Sequence, residues 1–181
     1  MSYPAVYRSS RQSEGEFLAD YDPNLAAWSD GRGMTLLMIS LRNPEPSARF
    51  AIASRLLDDG ADPSASTLDQ VNALHVLLSA TSHDFTAEPT LLHRLLEGGA
   101  YINADSGSRW GSPLQTLSRT FKFSDAQLAP FYDLLFTRAE LDVTTPSSTG
   151  RSVTESARAA GERRADLLAR CRAHILACAP S

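Results

Sequence analysis

Apolar side chains recur along this chain in short stripes at three- and four-residue spacing, which is the spacing of one face of an α-helix. The stripes are of two kinds, shorter and longer, and polar and turn residues separate them. Examples are Leu74, Leu77 and Leu78 for the shorter kind, and Leu91, Leu92, Leu95 and Leu96 for the longer kind. The pattern predicts an all-α chain in which short helices alternate with longer ones.

A small polar residue precedes each shorter stripe, at Thr35, Asn72, Ser112 and Ser152. A hydroxyl or amide at that place accepts a hydrogen bond from the free N–H groups of a helix N-terminus. Pro113 fits the first turn, because its missing N–H costs nothing there. Each shorter stripe is therefore predicted to begin a helix at its polar residue.

Two further local signals mark the ends of helices. The segment Ser13-Glu14-Gly15-Glu16 has the sequence of a capping box and predicts a lone helix over residues 13–20. Gly60 and Gly99 follow two of the longer stripes, where glycine can take the positive φ that often ends a helix. The chain is thus predicted to start with one helix and to continue in helix pairs.

The whole pattern repeats with a period near forty residues. Asp22, Asp62, Tyr101 and Asp142 open four short segments that begin 40, 39 and 41 residues apart. Each segment follows an apolar stretch and precedes one of the capped helices. One helix pair cannot bury both of its apolar faces by itself, so neighbouring pairs are expected to stack.

The segments Gly60-Ala61-Asp62-Pro63-Ser64-Ala65 and 99–104 resemble the Gly-Ala-Asp-Val-Asn-Ala segment of ankyrin repeats, and the capped openings resemble that family's Thr-Pro-Leu-His. The resemblance spans roughly residues 17–170. It implies an all-α, ankyrin-like solenoid of helix-turn-helix repeats with capping helices, in which His75 hydrogen-bonds between adjacent loops. The implied single domain covers residues 1–181, with a cap over 10–29, repeats over 30–66, 67–105 and 106–146, and a C-terminal repeat or cap over 147–181.

The repeats are longer than the family's, which run about 33 residues. The excess is predicted between the two helices of a pair, in residues 43–46, 81–89 and 121–130. A smaller excess is the one additional residue between Gly99 and Ser112. Loops longer than a fold needs are more often functional or mobile than structural.

Composition and charge narrow the function classes. The net charge is −4, with eleven basic against eighteen acidic residues over 1–150 and six against three over 151–181. Because an acidic body repels a phosphate backbone, no nucleic-acid partner is expected. No apolar run is long enough for a membrane span and the first thirty residues lack a signal-peptide core, so we expect no membrane partner and a cytoplasmic location.

Candidate chemistry is sparse. None of the four histidines forms a pair with metal-ligand spacing, and Cys171 and Cys178 lack the further ligands that a zinc site needs. The motifs typical of nucleotide binding, of serine hydrolases and of zinc proteases are not present in the sequence. We therefore predict that the chain is not an enzyme and binds no metal or cofactor.

Residues suited to binding another protein are more frequent in this sequence than candidate catalytic residues. Trp and Arg are the relevant types, because they most often anchor protein interfaces. The expected hairpin tips carry Trp28, Arg32, Leu68, Asp69, Arg109 and Trp110, the ends of the shorter helices carry Arg42 and Arg119, and a long loop carries Phe121 and Phe123. Two alternatives stay open. The tryptophans can pack under the loops as core, and Phe121-Lys122-Phe123 can fold back over the third repeat.

These features predict a protein-binding module that uses a concave face. The acidic body suits a partner with a basic surface, and the small size suits an inhibitor such as an immunity protein that neutralises a toxin. A passive scaffold for protein complexes is the alternative, and an enzyme is a distant third. Fold does not determine function, so the immunity assignment rests on analogy and charge.

Overall fold

The computed structural model of the protein describes residues 6–178, and residues 1–5 and 179–181 of the predicted domain lie outside this part. The described chain is all-helical, as predicted, with two isolated antiparallel bridges that pair Ser29 with Thr35 and Ser66 with Asn72. The α-helices are α1 (Glu14–Asp20), α2 (Leu36–Ser40), α3 (Pro46–Asp58), α4 (Ala73–Leu78), α5 (Glu88–Glu97), α6 (Gly107–Trp110), α7 (Pro113–Ser118), α8 (Asp125–Leu135), α9 (Val153–Ala160) and α10 (Ala165–Ala177). Short 3-10 helices cover Tyr7–Ser10, Pro23–Leu25 and Gly161–Arg164.

The capping residues begin the helices where the sequence predicts. The side chains of Thr35, Asn72, Ser112 and Ser152 each accept a hydrogen bond from the backbone N–H three residues later. Ser13 closes the predicted capping box of α1, because its hydroxyl caps the helix and the carboxylate of Glu16 accepts its N–H at 2.8 Å. These caps satisfy N–H groups that have no partner inside the helix.

The helices form two layers. The inner layer contains α2, α4, α7 and α9, and each of these helices contacts the next one along the chain. The outer layer contains α1, α3, α5, α8 and α10, again in contact in that order. The helix pairs therefore stack in chain order.

The hydrophobic core runs the length of this stack, from Val6 to Cys171. Every side chain of α2, α4 and α7 is buried, because the outer layer, the neighbouring inner helices and the loops cover them from all sides. Outer helices bury one face only, as in α3, where Ile52, Ala53 and Leu56 are inaccessible to solvent. Stacking provides the burial that no single pair could achieve.

A hairpin loop projects before each inner helix. A backbone hydrogen bond closes each of the four loops, from Asp30 to Met34, Thr67 to Val71, Ser106 to Gly111 and Ser147 to Arg151. The third loop holds the one additional residue that the sequence predicts, and it forms the short helix α6.

Glycine ends the outer helices α3 and α5 as expected. Gly60 has φ of 89° and Gly99 has φ of 92°, both in the left-handed region that a side chain disfavours. Each turns the chain from the outer layer towards the next hairpin loop.

The third connection between the helices of a pair is shorter than predicted. Helix α3 already begins at Pro46, α5 at Glu88 and α8 at Asp125, so much of residues 121–130 is helical rather than loop. Pro130 lies inside α8, where it removes only one hydrogen bond, and the capping box of Ser124 and Gln127 starts the helix before it. The remaining connections are residues 41–45, 79–87 and 119–124. We call the parts of these connections around Asn43, Ser82, Thr120 and Phe123 the base loops.

Two buried arginines hold the base loops in place. Arg49 donates to the carbonyl oxygens of Asn43 and Ser82, both at 2.6 Å, and pairs with the buried carboxylate of Glu88. Arg164 donates to the carbonyl oxygens of Ser118 at 2.7 Å and Thr120 at 3.0 Å. The base loops are therefore held in place by hydrogen bonds from buried side chains.

Candidate protein-binding groove

The hairpin loops and the C-terminal ends of the inner helices line a continuous groove. Three cavities follow one another along it, of about 250, 200 and 620 Å³. The first two share Ser79 and Trp110, and the second and third share Arg119. We call this surface the concave groove, and its charged and aromatic lining residues are Tyr7, Asp30, Arg32, Arg42, Asp69, His75, Arg109, Trp110, Arg119, Phe121 and Arg151.

The structure brings together seven of the ten predicted binding residues in this groove. Arg32, Arg42, Asp69 and Trp110 line the first cavity, Arg109 and Arg119 join Trp110 in the second, and Phe121 lies in the third. The residues come from three repeats, separated in sequence by thirty to forty positions. Only the stacking of the inner helices makes them neighbours.

Three predicted residues lie elsewhere. Phe123 is buried, with 7% of its surface exposed, and the prediction that it is a binding residue is wrong, because it packs against Phe85 in the core. Trp28 is half-buried against the core and makes an edge contact with Tyr7 at 6.4 Å, as the alternative interpretation proposed. Leu68 is 73% exposed on its hairpin and lines none of the three cavities.

The two aspartates of the groove are already bound within the protein. Asp30 accepts the Tyr7 hydroxyl at 3.0 Å and two backbone N–H groups, from Arg32 and Met34. Burial by itself would raise the pKa of Asp30, but these hydrogen bonds outweigh it and lower the pKa below the usual 3.8. Asp69 pairs with Arg32 at 2.8 Å across two neighbouring hairpins.

Four arginines of the groove form no ion pair with a described carboxylate: Arg42, Arg109, Arg119 and Arg151. Arg109 stacks over the indole of Trp110, with its guanidinium 5.6 Å from the ring centroid. Arg119 donates to the backbone carbonyl of Arg109 at 2.9 Å. The groove thus presents positive charge beside a half-buried tryptophan.

The side chains of His75 and Gln115 link neighbouring hairpins in the wall of the groove. Nε2 of His75 lies 2.9 Å from the carbonyl oxygen of Gly111, which confirms the predicted bond between adjacent loops. Gln115 occupies the same position in the next helix and donates to the carbonyl oxygen of Arg151 at 2.6 Å. Burial lowers the pKa of His75, so the ring is held in its neutral form. These hydrogen bonds connect each inner helix to the following hairpin and hold the hairpins in position relative to one another.

Other candidate chemistry stays outside the groove. Cys171 is buried, and burial raises the pKa of its thiol to about 11, whereas Cys178 is exposed. Residues 6–178 contain no cluster of three or more His, Cys, Asp or Glu side chains placed to hold a metal ion. The same residues form no helix with the length and apolar character of a membrane span.

The sequence does not indicate the side chains that hold the base loops. His83, Glu88, Arg49 and Arg164 are buried, and Nδ1 of His83 lies 2.6 Å from the Glu88 carboxylate. No local signal distinguishes the two arginines, since Ser82 lies 33 residues from Arg49 and Ser118 lies 46 residues from Arg164 along the chain.

Comparison with known proteins finds solved structures that share the fold. No protein-family model matches the chain, and no curated protein matches it. Among solved structures, 111 chains match. One is the crystal structure of a functionally unknown protein from Leptotrichia buccalis C-1013-b, which is 20% identical, with a TM-score of 0.76 over 96% of this chain and 93% of that chain. At this identity the likeness shows the shared fold alone.

Proposed function

We propose that this chain is an ankyrin-like repeat protein that binds another protein in the concave groove and inhibits it, as an immunity protein neutralises a toxin. The binding residues are Arg32, Arg42, Asp69, Arg109, Trp110, Arg119 and Phe121, with Arg151 added from the structure. The partner is held by its surface, and its own site is covered by the hairpins and inner helices.

The ankyrin-like assignment is supported by features that recur in register. Each inner helix begins at a capping residue, follows a projecting hairpin and stacks on the next inner helix. His75 and Gln115, at the same helix position, each reach a backbone carbonyl of the following hairpin. Glycines with positive φ end two of the outer helices.

The row of unpaired arginines beside Trp110 is the observation that carries the binding proposal. Tryptophan and arginine are the side chains most enriched at the energetic centres of protein interfaces. Here they lie on helix ends and linked hairpins, so their backbone is already ordered and binding costs little backbone conformational entropy. A preformed groove of this kind binds a partner without refolding.

Inhibition and scaffolding differ in what happens to the partner. An inhibitor covers the partner's working surface, so the partner's activity disappears in the complex. A passive scaffold, the second candidate, leaves that activity intact. The groove geometry supports both, and the inhibitor assignment rests on the analogy with immunity proteins.

Affinity capture with matched variants tests the proposal. The tagged full chain, a Trp110→Ala/Arg119→Glu variant and an Arg172→Glu control on the outer helix α10 are each used to capture proteins from native cell lysate. We expect one protein to be captured by the wild type and the control but not by the groove variant. Capture by all three forms would contradict binding in the groove.

Activity of the captured protein then separates the two candidates. The partner, purified alone, is assayed with increasing amounts of the wild-type chain and of the groove variant. We expect stoichiometric loss of activity with the wild type only. Full activity at saturation would support the scaffold and overturn inhibition.

A further inference from the structure

We propose that the occupant of the concave groove is an extended acidic segment of the partner protein, with one apolar side chain placed between its carboxylates. This inference rests on the proposed function and names the kind of surface that the groove recognises. It predicts the charge of the partner from the charge of the groove and not from the net charge of the whole chain.

Charge is segregated in this molecule. The whole chain carries a net charge of −4, which is the basis for the untested prediction of a basic partner. The groove has the opposite sign, because it is lined by five arginines (Arg32, Arg42, Arg109, Arg119 and Arg151) and only two aspartates (Asp30 and Asp69). Complementarity therefore favours acidic groups in the groove.

The arginines stand in register. Arg42, Ser79 and Arg119 occupy the same position, seven residues after the capping residue, in three successive inner helices. Stacked helix axes lie about 8–10 Å apart, so Arg42 and Arg119 are separated by roughly 16–20 Å along the groove. An extended chain rises about 3.3 Å per residue, so five or six residues span this distance.

An apolar recess lies between the two arginines. Val76 and Ser79 of the central repeat line the groove there, and Trp110 borders both the first and the second cavity. An apolar side chain of the occupant can pack against the half-buried indole and displace water from it. The recognised segment thus has acidic residues at its ends and an apolar residue near its middle.

A nucleic acid fits this surface less well. A long polyanion extends beyond the groove and meets the acidic remainder of the chain, which repels its phosphates. A short peptide in the groove interacts mainly with the charges of the groove, since charges beyond the Debye length of about 8 Å are screened at physiological salt.

Binding of defined probes tests the inference. The probes are a dye-labelled twelve-residue peptide of glutamate and glycine with one central leucine, its lysine counterpart, and single-stranded thymidine oligonucleotide of equal length. Fluorescence anisotropy with the full chain is measured at about 20 mM and about 150 mM salt. We expect the glutamate peptide to bind, more weakly at the higher salt, and the lysine peptide not to bind.

Charge reversal locates the site. Each Arg→Glu change at Arg42 and Arg119 is expected to weaken the glutamate peptide about tenfold or more, since each removes a charge-assisted contact. Arg172→Glu makes the same change of charge on the outer layer and is expected to leave binding unchanged. The double variant Arg42→Gln/Arg119→Gln removes the positive charge without adding repulsion, and it should also weaken binding.

Three outcomes overturn the inference. They are failure of the glutamate peptide to bind, equal weakening by Arg172→Glu and the groove variants, and tighter binding of the oligonucleotide or the lysine peptide. Failure of this inference can be told apart from failure of the proposed function. If the Trp110→Ala/Arg119→Glu variant loses the captured partner but Arg42→Gln binds it normally, the groove binds a protein without selecting acidic segments. Loss of groove-dependent capture altogether removes the proposed function itself.

Discussion

The base loops and the concave groove both depend on arginine, and they use it in opposite ways. At the base, Arg49 and Arg164 are 1% exposed, and their guanidinium groups donate to loop carbonyls and pair with Glu88 and Asp125. In the groove, Arg42 and Arg119 are exposed and have no ion pair with a described carboxylate. One region uses the charge to fold, and the other leaves it available.

The difference follows from the cost of removing charge from water. A buried guanidinium is tolerated only when its N–H groups find acceptors, and the open carbonyls of a non-helical loop provide them. An exposed guanidinium keeps its hydration until a partner displaces it. A substitution at the base is therefore expected to change stability, and one in the groove to change binding.

Arg49→Ala is expected to have the largest effect on folding. It leaves the buried Glu88 carboxylate without its guanidinium partner, with only His83 beside it, and removes the donor from the carbonyls of Asn43 and Ser82. Breaking a buried ion pair costs about 3–5 kcal/mol, so the free energy of unfolding should fall by that amount in urea denaturation. Arg55→Ala on the same helix, where the side chain is exposed, is the control and should leave the urea midpoint nearly unchanged. Equal midpoints for the two variants would contradict a structural role for Arg49.

Phe123→Ala and Phe121→Ala separate core from surface within one short segment. Phe123 packs on Phe85 and His83 with ring centroids 5.3 and 5.2 Å apart, whereas Phe121 is 52% exposed. Truncating a buried phenylalanine costs about 3–5 kcal/mol, while the exposed one should cost under about 1 kcal/mol in the same measurement. Similar losses for both variants would show that Phe121 also belongs to the core.

His75→Gln tests the link between hairpins through its dependence on pH. Burial lowers the pKa of His75 from the usual 6.5, so below that pH the unfolded chain binds more protons than the folded one. The stability that neutral His75 provides is present above about pH 6.5 and is lost as the pH falls. Glutamine does not titrate and can still donate to Gly111, as Gln115 does to Arg151. Urea denaturation from about pH 5 to 7 should show a smaller loss of stability on acidification in the variant, and parallel curves would exclude His75 as the source.

Asp69→Ala is expected to have the smallest effect on stability. The Arg32–Asp69 pair is about 70% exposed on both sides, and such pairs contribute less than about 1 kcal/mol. The thermal midpoint should therefore barely move. Binding of the glutamate peptide should instead tighten slightly, because the change frees Arg32 and removes a negative charge from the groove. Weaker peptide binding would indicate that Asp69 itself contacts the occupant.

Local signals made much of the architecture predictable. Capping at Thr35, Asn72, Ser112 and Ser152, the capping box at Ser13 and the glycines at 60 and 99 each act within a few residues, so the sequence indicates them directly. The hairpin with one additional residue was also visible as a departure from the period. The third connection is predicted too long, because Pro130 favours a loop although the capping box of Ser124 starts α8 before it.

The sequence by itself determined the helices, their pairing and the repeat that makes them stack, since these depend on hydrogen bonds and apolar spacing between near neighbours. Only the tertiary structure decided which arginines are buried, which of Phe121 and Phe123 belongs to the core, and that the groove is positive on a chain of net charge −4. Those properties arise from contacts between repeats, roughly forty residues apart, where burial and not residue type sets the role of a side chain.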